Sequence, residues 1–240
     1  MYDDILRLPL PEGASIVGFA DDIAITIVAK TLEGITATAN KTTDMIKRWL
    51  RSVDLELAEE KTEAVLISSR KKIEKVTIQV GDTRIQSQEP IKYLGVMIDC
   101  RHSFQRYLQY TAEKAAKVAK SLTCLLLNLR GPRQARRKLI ADVVTATIMY
   151  GSSVWNNAFV IPSYTRDIQA AYRLCALRVC AGYRTVSEDA ALVIAGMMPI
   201  DLRGKEGLYR AEFRRLPAEA AKQRVKQRLL YEWQERWSRA

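Results

Sequence analysis

Histidine is almost absent from this sequence, with His102 alone in 240 residues, and none of the four cysteines, Cys100, Cys124, Cys175 and Cys180, stands in a close CxxC pair. That spacing excludes the zinc chemistry of ribbons and fingers. The cysteines sit in apolar or helical stretches, as buried thiols of a reducing compartment do. His102 has no second histidine to work with and reads as a surface or capping residue. A membrane-spanning run is also missing. The longest charge-free stretch, residues 143–165, contains Gly151, Ser152, Ser153, Asn156, Asn157 and Pro162, which would strand polar groups in lipid. No signal peptide is expected, because Asp3 and Asp4 occupy the place where one needs positive charge. With 11 glycines and 7 prolines the sequence is neither collagenous nor of low complexity, and it has no internal repeat.

What is present is a basic globular chain, 48% hydrophobic, with a net charge of +11. The excess is localised. Residues 1–100 hold 13 Lys or Arg against 16 Asp or Glu, residues 101–140 hold 10 against Glu113 alone, residues 141–200 balance at 4 and 4, and residues 201–240 carry 11 against 6. A 40-residue block with one acid is the footprint of a polyanion partner, and nucleic acid is the leading candidate over a merely solvated face. Within the block, Leu108, Thr111, Ala115, Val118, Ala119, Leu122, Leu126 and Leu129 recur at helical spacing, with Lys114, Lys117 and Lys120 on the opposite side. Gly131 and Pro132 stop that helix. A second begins with Arg133, Arg136, Arg137 and Lys138 in its first turns, where cations oppose the helix dipole and a phosphate would relieve them.

The first hundred residues read as α+β. An apolar extended run over residues 15–29 is interrupted by Asp21 and Asp22. A helix is expected over residues 32–52, with Ile35, Ala39, Thr42, Ile46 and Trp49 on one face. Residues 63–69 read as a buried strand, residues 76–86 as a hairpin turning at Gly81 and Asp82, and residues 91–98 as one strand with Gly95 inside it. From Ser103 onward the pattern is helical, with breaks near Gly131, residues 151–162, Gly182, Pro199 and Pro217, and a boundary is expected near Asp99.

Adjacent aspartates between apolar segments lose hydration and repel each other. On a straight strand the two side chains would point to opposite faces, so both address one site only at a tight hairpin turn. Two readings fit: an exposed acidic turn, and a pair of oxygen ligands for Mg²⁺ in phosphoryl transfer.

The run Gly18, Phe19, Ala20, Asp21, Asp22, Ile23, Ala24 resembles the aromatic-x-Asp-Asp motif of reverse transcriptases, in the form found in non-long-terminal-repeat retrotransposons. The resemblance continues through Leu57, Lys61, Thr62 and Glu63, through Tyr93, Leu94, Gly95 and Val96, and through Tyr150, Gly151 and Trp155. It reaches the segment from Tyr183 to Ser187 and the run from Ala195 to Ile200. It implies an α+β fold with a small antiparallel palm sheet and helices, followed by an all-helical thumb. The implied organisation is the C-terminal part of the palm over residues 1–99, a nucleic-acid-binding thumb over residues 100–200 and a basic helical connection over residues 201–240. It also implies that Asp21 coordinates catalytic Mg²⁺ (or Mn²⁺) with Asp22 in support, and that Lys61 protonates the pyrophosphate leaving group. Tyr93, Leu94 and Gly95 would position the primer end, with Lys114, Lys117, Lys120, Arg133, Arg136 and Arg137 along the duplex. The implied partners are an RNA template, a DNA primer and deoxynucleoside triphosphates, in the nucleus or cytoplasm and without a membrane.

Two departures bear on activity. The family's other catalytic aspartate lies well upstream of the acid pair, and only 20 residues precede Asp21. Asp3 and Asp4 do not replace it. The sequence also stops after Trp233 to Trp237 with no cysteine and histidine knuckle, so it looks truncated at both ends. The chain alone is expected to be inactive as a polymerase, and a non-catalytic nucleic-acid-binding module, or a relic, is the alternative.

Overall fold

A computed structural model describes residues 2–123 and 131–239. The expected face residues Leu126 and Leu129 lie outside the described residues. The chain divides into two compact units, residues 1–102 and 103–240.

The first unit opens with a short helix α1 (Tyr2–Ile5), followed by β1 (Ala14–Phe19) and β2 (Asp22–Ile27), which pair antiparallel from Ala14 opposite Ile27 to Phe19 opposite Asp22. The acids that interrupt the apolar run therefore sit at the tip of a hairpin. Helix α2 (Leu32–Ser52) covers the residues expected of it. Thr31 caps it by accepting a hydrogen bond from the Gly34 N–H at 3.1 Å, and Glu33 and Arg51 at opposite ends complement its dipole. Its apolar stripe buries Ile46 and Leu50 with Ile5, and Leu8, Ile16, Ile23, Ile25, Trp49 and Leu57 pack around them. This cluster fastens the β1–β2 hairpin to the helix.

A 3₁₀ turn (Glu59–Lys61) follows, then β3 (Thr77–Val80) paired with β4 (Thr83–Gln86), and β5 (Ile91–Tyr93) paired with β6 (Val96–Ile98). Two expectations are corrected here. Residues 63–69 form no strand. The Ser68 N–H donates to the Cys100 carbonyl and the Ala64 carbonyl accepts from the Gln88 N–H, isolated bonds without a ladder, and Ile67 is exposed. Residues 91–98 are two strands, because Leu94 and Gly95 take φ of 45° and 82° and reverse the chain. Positive φ at both central residues is the geometry of a tight two-residue hairpin. Leucine is an unusual occupant there, which is why the turn does not announce itself in sequence.

The second unit is helical: α3 (Gln105–Thr123), α4 (Gln134–Met149), α5 (Ser152–Trp155), a 3₁₀ segment (Asn156–Val160), α6 (Pro162–Val179), α7 (Glu188–Ala195), α8 (Ile200–Glu212) and α9 (Ala218–Arg239). Helices α3, α4 and α6 pack on one another. On α3, Leu108, Thr111, Ala112, Ala115 and Ala119 are buried. Trp155 is fully buried, its ring 5.0 Å from that of Phe159 and 6.0 Å from that of Tyr107. Gly204 of α8 lets Phe159 approach closely, since a Cβ there would lie 2.6 Å from the Phe159 ring. Among the described residues, no helix is long and apolar enough to cross a membrane.

Helices α8 and α9 share a cluster of Leu202, Tyr209, Val225 and Leu229. The Tyr209 hydroxyl donates to the Glu232 carboxylate, and its pKa is pushed up to about 12, by burial first and by that carboxylate next. A phenol whose folded pKa exceeds its unfolded value of about 10 adds stability that is complete below that value. The stability is lost as pH rises toward 12. Alkaline titration followed by circular dichroism is expected to show this loss in the native chain and a flatter profile in Tyr209→Phe.

Candidate functional site

The β1–β2 hairpin turns through Ala20 and Asp21, with φ of 53° at Ala20, and both Asp21 and Asp22 are exposed. The tip thus holds two carboxylates in water without burying either, which avoids the desolvation that a strand interior would impose. A cavity of about 800 Å³ opens beside it. Its wall includes Asp21 and Asp22 from the hairpin, Lys61 at the end of the 3₁₀ turn, Glu63 just beyond it, and Tyr93 from the end of β5. Ile5, Trp49, Leu50 and Leu57 supply an apolar side. Four residues singled out from three separate motifs, Asp21, Asp22, Lys61 and Tyr93, therefore share one concavity. Leu94 and Gly95 are not among its lining residues and form the neighbouring turn.

The oxygen donors fit part of a metal site. Mg²⁺ takes one or two protein carboxylates and completes its shell with water and substrate phosphate. Among the described residues, no group of three His, Cys, Asp or Glu side chains could hold a metal ion. Asp21 and Asp22 suit an ion shared with phosphate oxygens, and do not form a cage.

Tyr93 carries a buried hydroxyl with no hydrogen-bond partner. An unsatisfied buried hydroxyl costs about 1–3 kcal/mol. Tyr93→Phe is accordingly expected to raise the thermal midpoint of the free chain by removing that cost, and calorimetry of the two proteins checks it.

The cations that the sequence singles out on α3 and at the start of α4 divide into two groups. Lys114, Lys117 and Lys120 are exposed on α3, opposite its buried stripe, and Arg133 and Arg136 are exposed at the start of α4. Arg137 is 5% exposed; its guanidinium donates to the carbonyls of Pro132 at 2.7 Å and Arg178 at 3.0 Å. Lys138 donates to the Gly196 carbonyl at 2.9 Å, and Gln134 donates to the Ile194 carbonyl at 2.9 Å. These groups serve the C-terminal ends of α6 and α7, where cations complement the dipole. Cations that look misplaced at the start of their own helix are well placed for two others. Arg137 is thus engaged with backbone oxygen, and the exposed cations of that turn are Arg133 and Arg136.

Glu59 escaped the sequence reading. It stands beside Glu60 and Lys61 in a charged run that looks like solvated surface, yet its carboxylate is ion-paired with Lys47 and accepts from the Asp82 N–H at 3.0 Å and the Thr83 hydroxyl at 3.3 Å. The bond from Lys47 is the main reason its pKa lies below the usual carboxylate value. No local signal marks it, because its partners lie 12 to 24 residues away.

Residues 1–98 match the family described as reverse transcriptase (RNA-dependent DNA polymerase). Over 94% of its length the chain is 26% identical to a "Retrovirus-related Pol polyprotein from type-1 retrotransposable element R1 2" of Nasonia vitripennis, covering 60% of that protein. Over 99% it is 24% identical to the Pol polyprotein from type-1 retrotransposable element R1 of Bradysia coprophila, covering 26% of it. Over 98% it is 22% identical to a "Putative 115 kDa protein in type-1 retrotransposable element R1DM" of Drosophila melanogaster, covering 25%. The chain spans less than two thirds of the length of these curated relatives. No solved structure matches it.

Proposed function

We propose that this chain belongs to the reverse transcriptases of non-long-terminal-repeat retrotransposons and supplies part of the catalytic palm and the duplex-holding helices of an RNA-directed DNA polymerase. The observation that carries this reading is the single cavity lined by Asp21, Asp22, Lys61 and Tyr93. In the whole enzyme the 3′ oxygen of a DNA primer attacks the α-phosphorus of a deoxynucleoside triphosphate, and the bond to the bridging oxygen breaks to release pyrophosphate. Asp21, supported by Asp22, would hold a divalent ion there, which supplies neutralisation of phosphate charge. Lys61 gives a proton to the departing pyrophosphate. The Tyr93 hydroxyl gains a polar partner when the primer end occupies the cavity. Positioning and charge carry most of such a reaction. Its test is RNA-templated primer extension by the whole polymerase and the loss of that extension when the Asp21 carboxylate is removed.

The exposed lysines of α3 hold the duplex through its phosphates. Replacing Lys114, Lys117 and Lys120 by alanine is expected to weaken binding to an RNA–DNA hybrid and to reduce the slope of log K against log salt by about one unit per lost phosphate contact. Fluorescence anisotropy across a salt series measures it, and an unchanged slope would remove these lysines from the interface.

A further inference from the structure

We propose that Glu59 is a positioning residue that holds Lys61 at the acid-pair cavity. The inference rests on the reading of Lys61 just given. Lys61 ends a 3₁₀ turn whose first residue is Glu59, so the carboxylate that anchors the turn is two residues from the lysine that lines the cavity. The turn itself is small. The Lys61 N–H donates to the Ala58 carbonyl at 3.1 Å, and the Thr62 N–H donates to the Glu59 carbonyl at 3.1 Å. Three residues of 3₁₀ helix have little stability of their own, so their orientation must come from outside.

Two anchors supply it. Leu57 packs against the cluster of Ile5, Ile46 and Leu50 on one side of Ala58. On the other side Glu59 reaches two separate elements: one oxygen pairs with Lys47 of α2, and the second accepts from Asp82 and Thr83 of the β3–β4 hairpin. The pair is largely sheltered, with 18% of each side chain exposed. Gly81 gives independent support. A Cβ at that position would run into the Glu59 carboxylate and the Lys47 ammonium, and its φ of +58° is one that glycine tolerates best. The hairpin turn is thus shaped to receive this carboxylate. Glu60, the next residue, is exposed and provides the control.

The test uses the full chain with Glu59→Ala, Glu59→Gln and Glu60→Gln. Amide hydrogen exchange is read at Lys61 and Thr62 without metal, and Mn²⁺ is then used as the probe, its broadening compared at the Lys61 ε-methylene and the Ile23 methyls. Glu59→Ala is expected to speed exchange at Lys61 and Thr62 by about tenfold. It is also expected to cut Mn²⁺ broadening at Lys61 by about threefold or more while leaving Ile23 as in the native chain. Glu59→Gln keeps an acceptor oxygen for Asp82 and Thr83 and restores most of both signals. Glu60→Gln changes neither. Native exchange and native broadening at Lys61 in Glu59→Ala would overturn the proposal, as would an equal change at Ile23, which signals general loosening. If Mn²⁺ leaves Ile23 sharp in the native chain, the metal part of the functional reading fails, and the exchange arm still decides the role of Glu59.

Discussion

On the proposed function, Asp21→Asn in the whole polymerase is expected to lower RNA-templated primer extension by about 10³-fold or more, equivalent to about 4 kcal/mol of lost transition-state stabilisation. The amide keeps the size of the side chain and one oxygen acceptor but removes the negative charge that would attract a divalent ion in this reading. Because Asp21 is exposed at a hairpin tip, the substitution leaves no buried group unpaired and no cavity. Circular dichroism and the melting temperature of the variant should therefore match those of the native protein, separating lost chemistry from lost fold. Asp22→Asn is expected to lose less, since Asp22 is the supporting ligand in this reading. Equal extension by native and Asp21→Asn enzymes would sink it.

The largest expected loss of stability is at Trp155. Its side chain is fully buried, tilts against the rings of Tyr107 and Phe159, and donates its indole N–H to the Tyr150 carbonyl at 2.8 Å. Tyr107 donates its hydroxyl to the same carbonyl at 3.0 Å. Tyr150 follows the last residue of α4, where helix carbonyls lack partners of their own. One indole therefore fills the core and helps finish a helix. Trp155→Ala is expected to cost about 3–5 kcal/mol and to lower the thermal midpoint of the helical unit by about 10 °C or more. Trp155→Phe keeps most of the volume, and Tyr107 still serves the Tyr150 carbonyl, so its cost should be about 1 kcal/mol. Thermal unfolding of the three proteins distinguishes packing from the hydrogen bond. Equal midpoints for Trp155→Ala and Trp155→Phe would show that volume is not what matters there.

Where a segment of this chain satisfies its own backbone, its sequence is a good guide. Residues 32–52 are recognisable as a helix because Thr31, Glu33, the apolar period and Arg51 all agree. The acid hairpin is recognisable because apolar residues flank a pair of aspartates that no strand interior would accept. Residues 63–69 mislead because Val65, Leu66 and Ile67 look like a buried strand, while strand formation needs a neighbour to bond with and the fold offers only isolated carbonyls and amides there. The turn at Leu94 and Gly95 misleads because leucine carries no turn signal.

The candidate site has the same division. Asp21, Asp22, Lys61 and Tyr93 are visible in sequence as members of short motifs, but that they line one cavity is a fact of tertiary structure. Glu59 is invisible for the complementary reason: its partners on α2 and the β3–β4 hairpin are remote in the chain.

The sequence by itself determined the amphipathic periods, the acidic tip between two apolar strands and the crowding of positive charge into residues 101–140. Each follows from local chemistry: side-chain spacing, backbone preference and the cost of burying charge. Only the tertiary structure decided what each charge does. Lys114, Lys117 and Lys120 are left on the surface, whereas Arg137 turns inward to carbonyls at the ends of other segments and Glu59 ties a short turn to a helix and a hairpin. A charge's role depends on which unsatisfied groups the fold brings within hydrogen-bonding distance, and neighbours in sequence do not specify that.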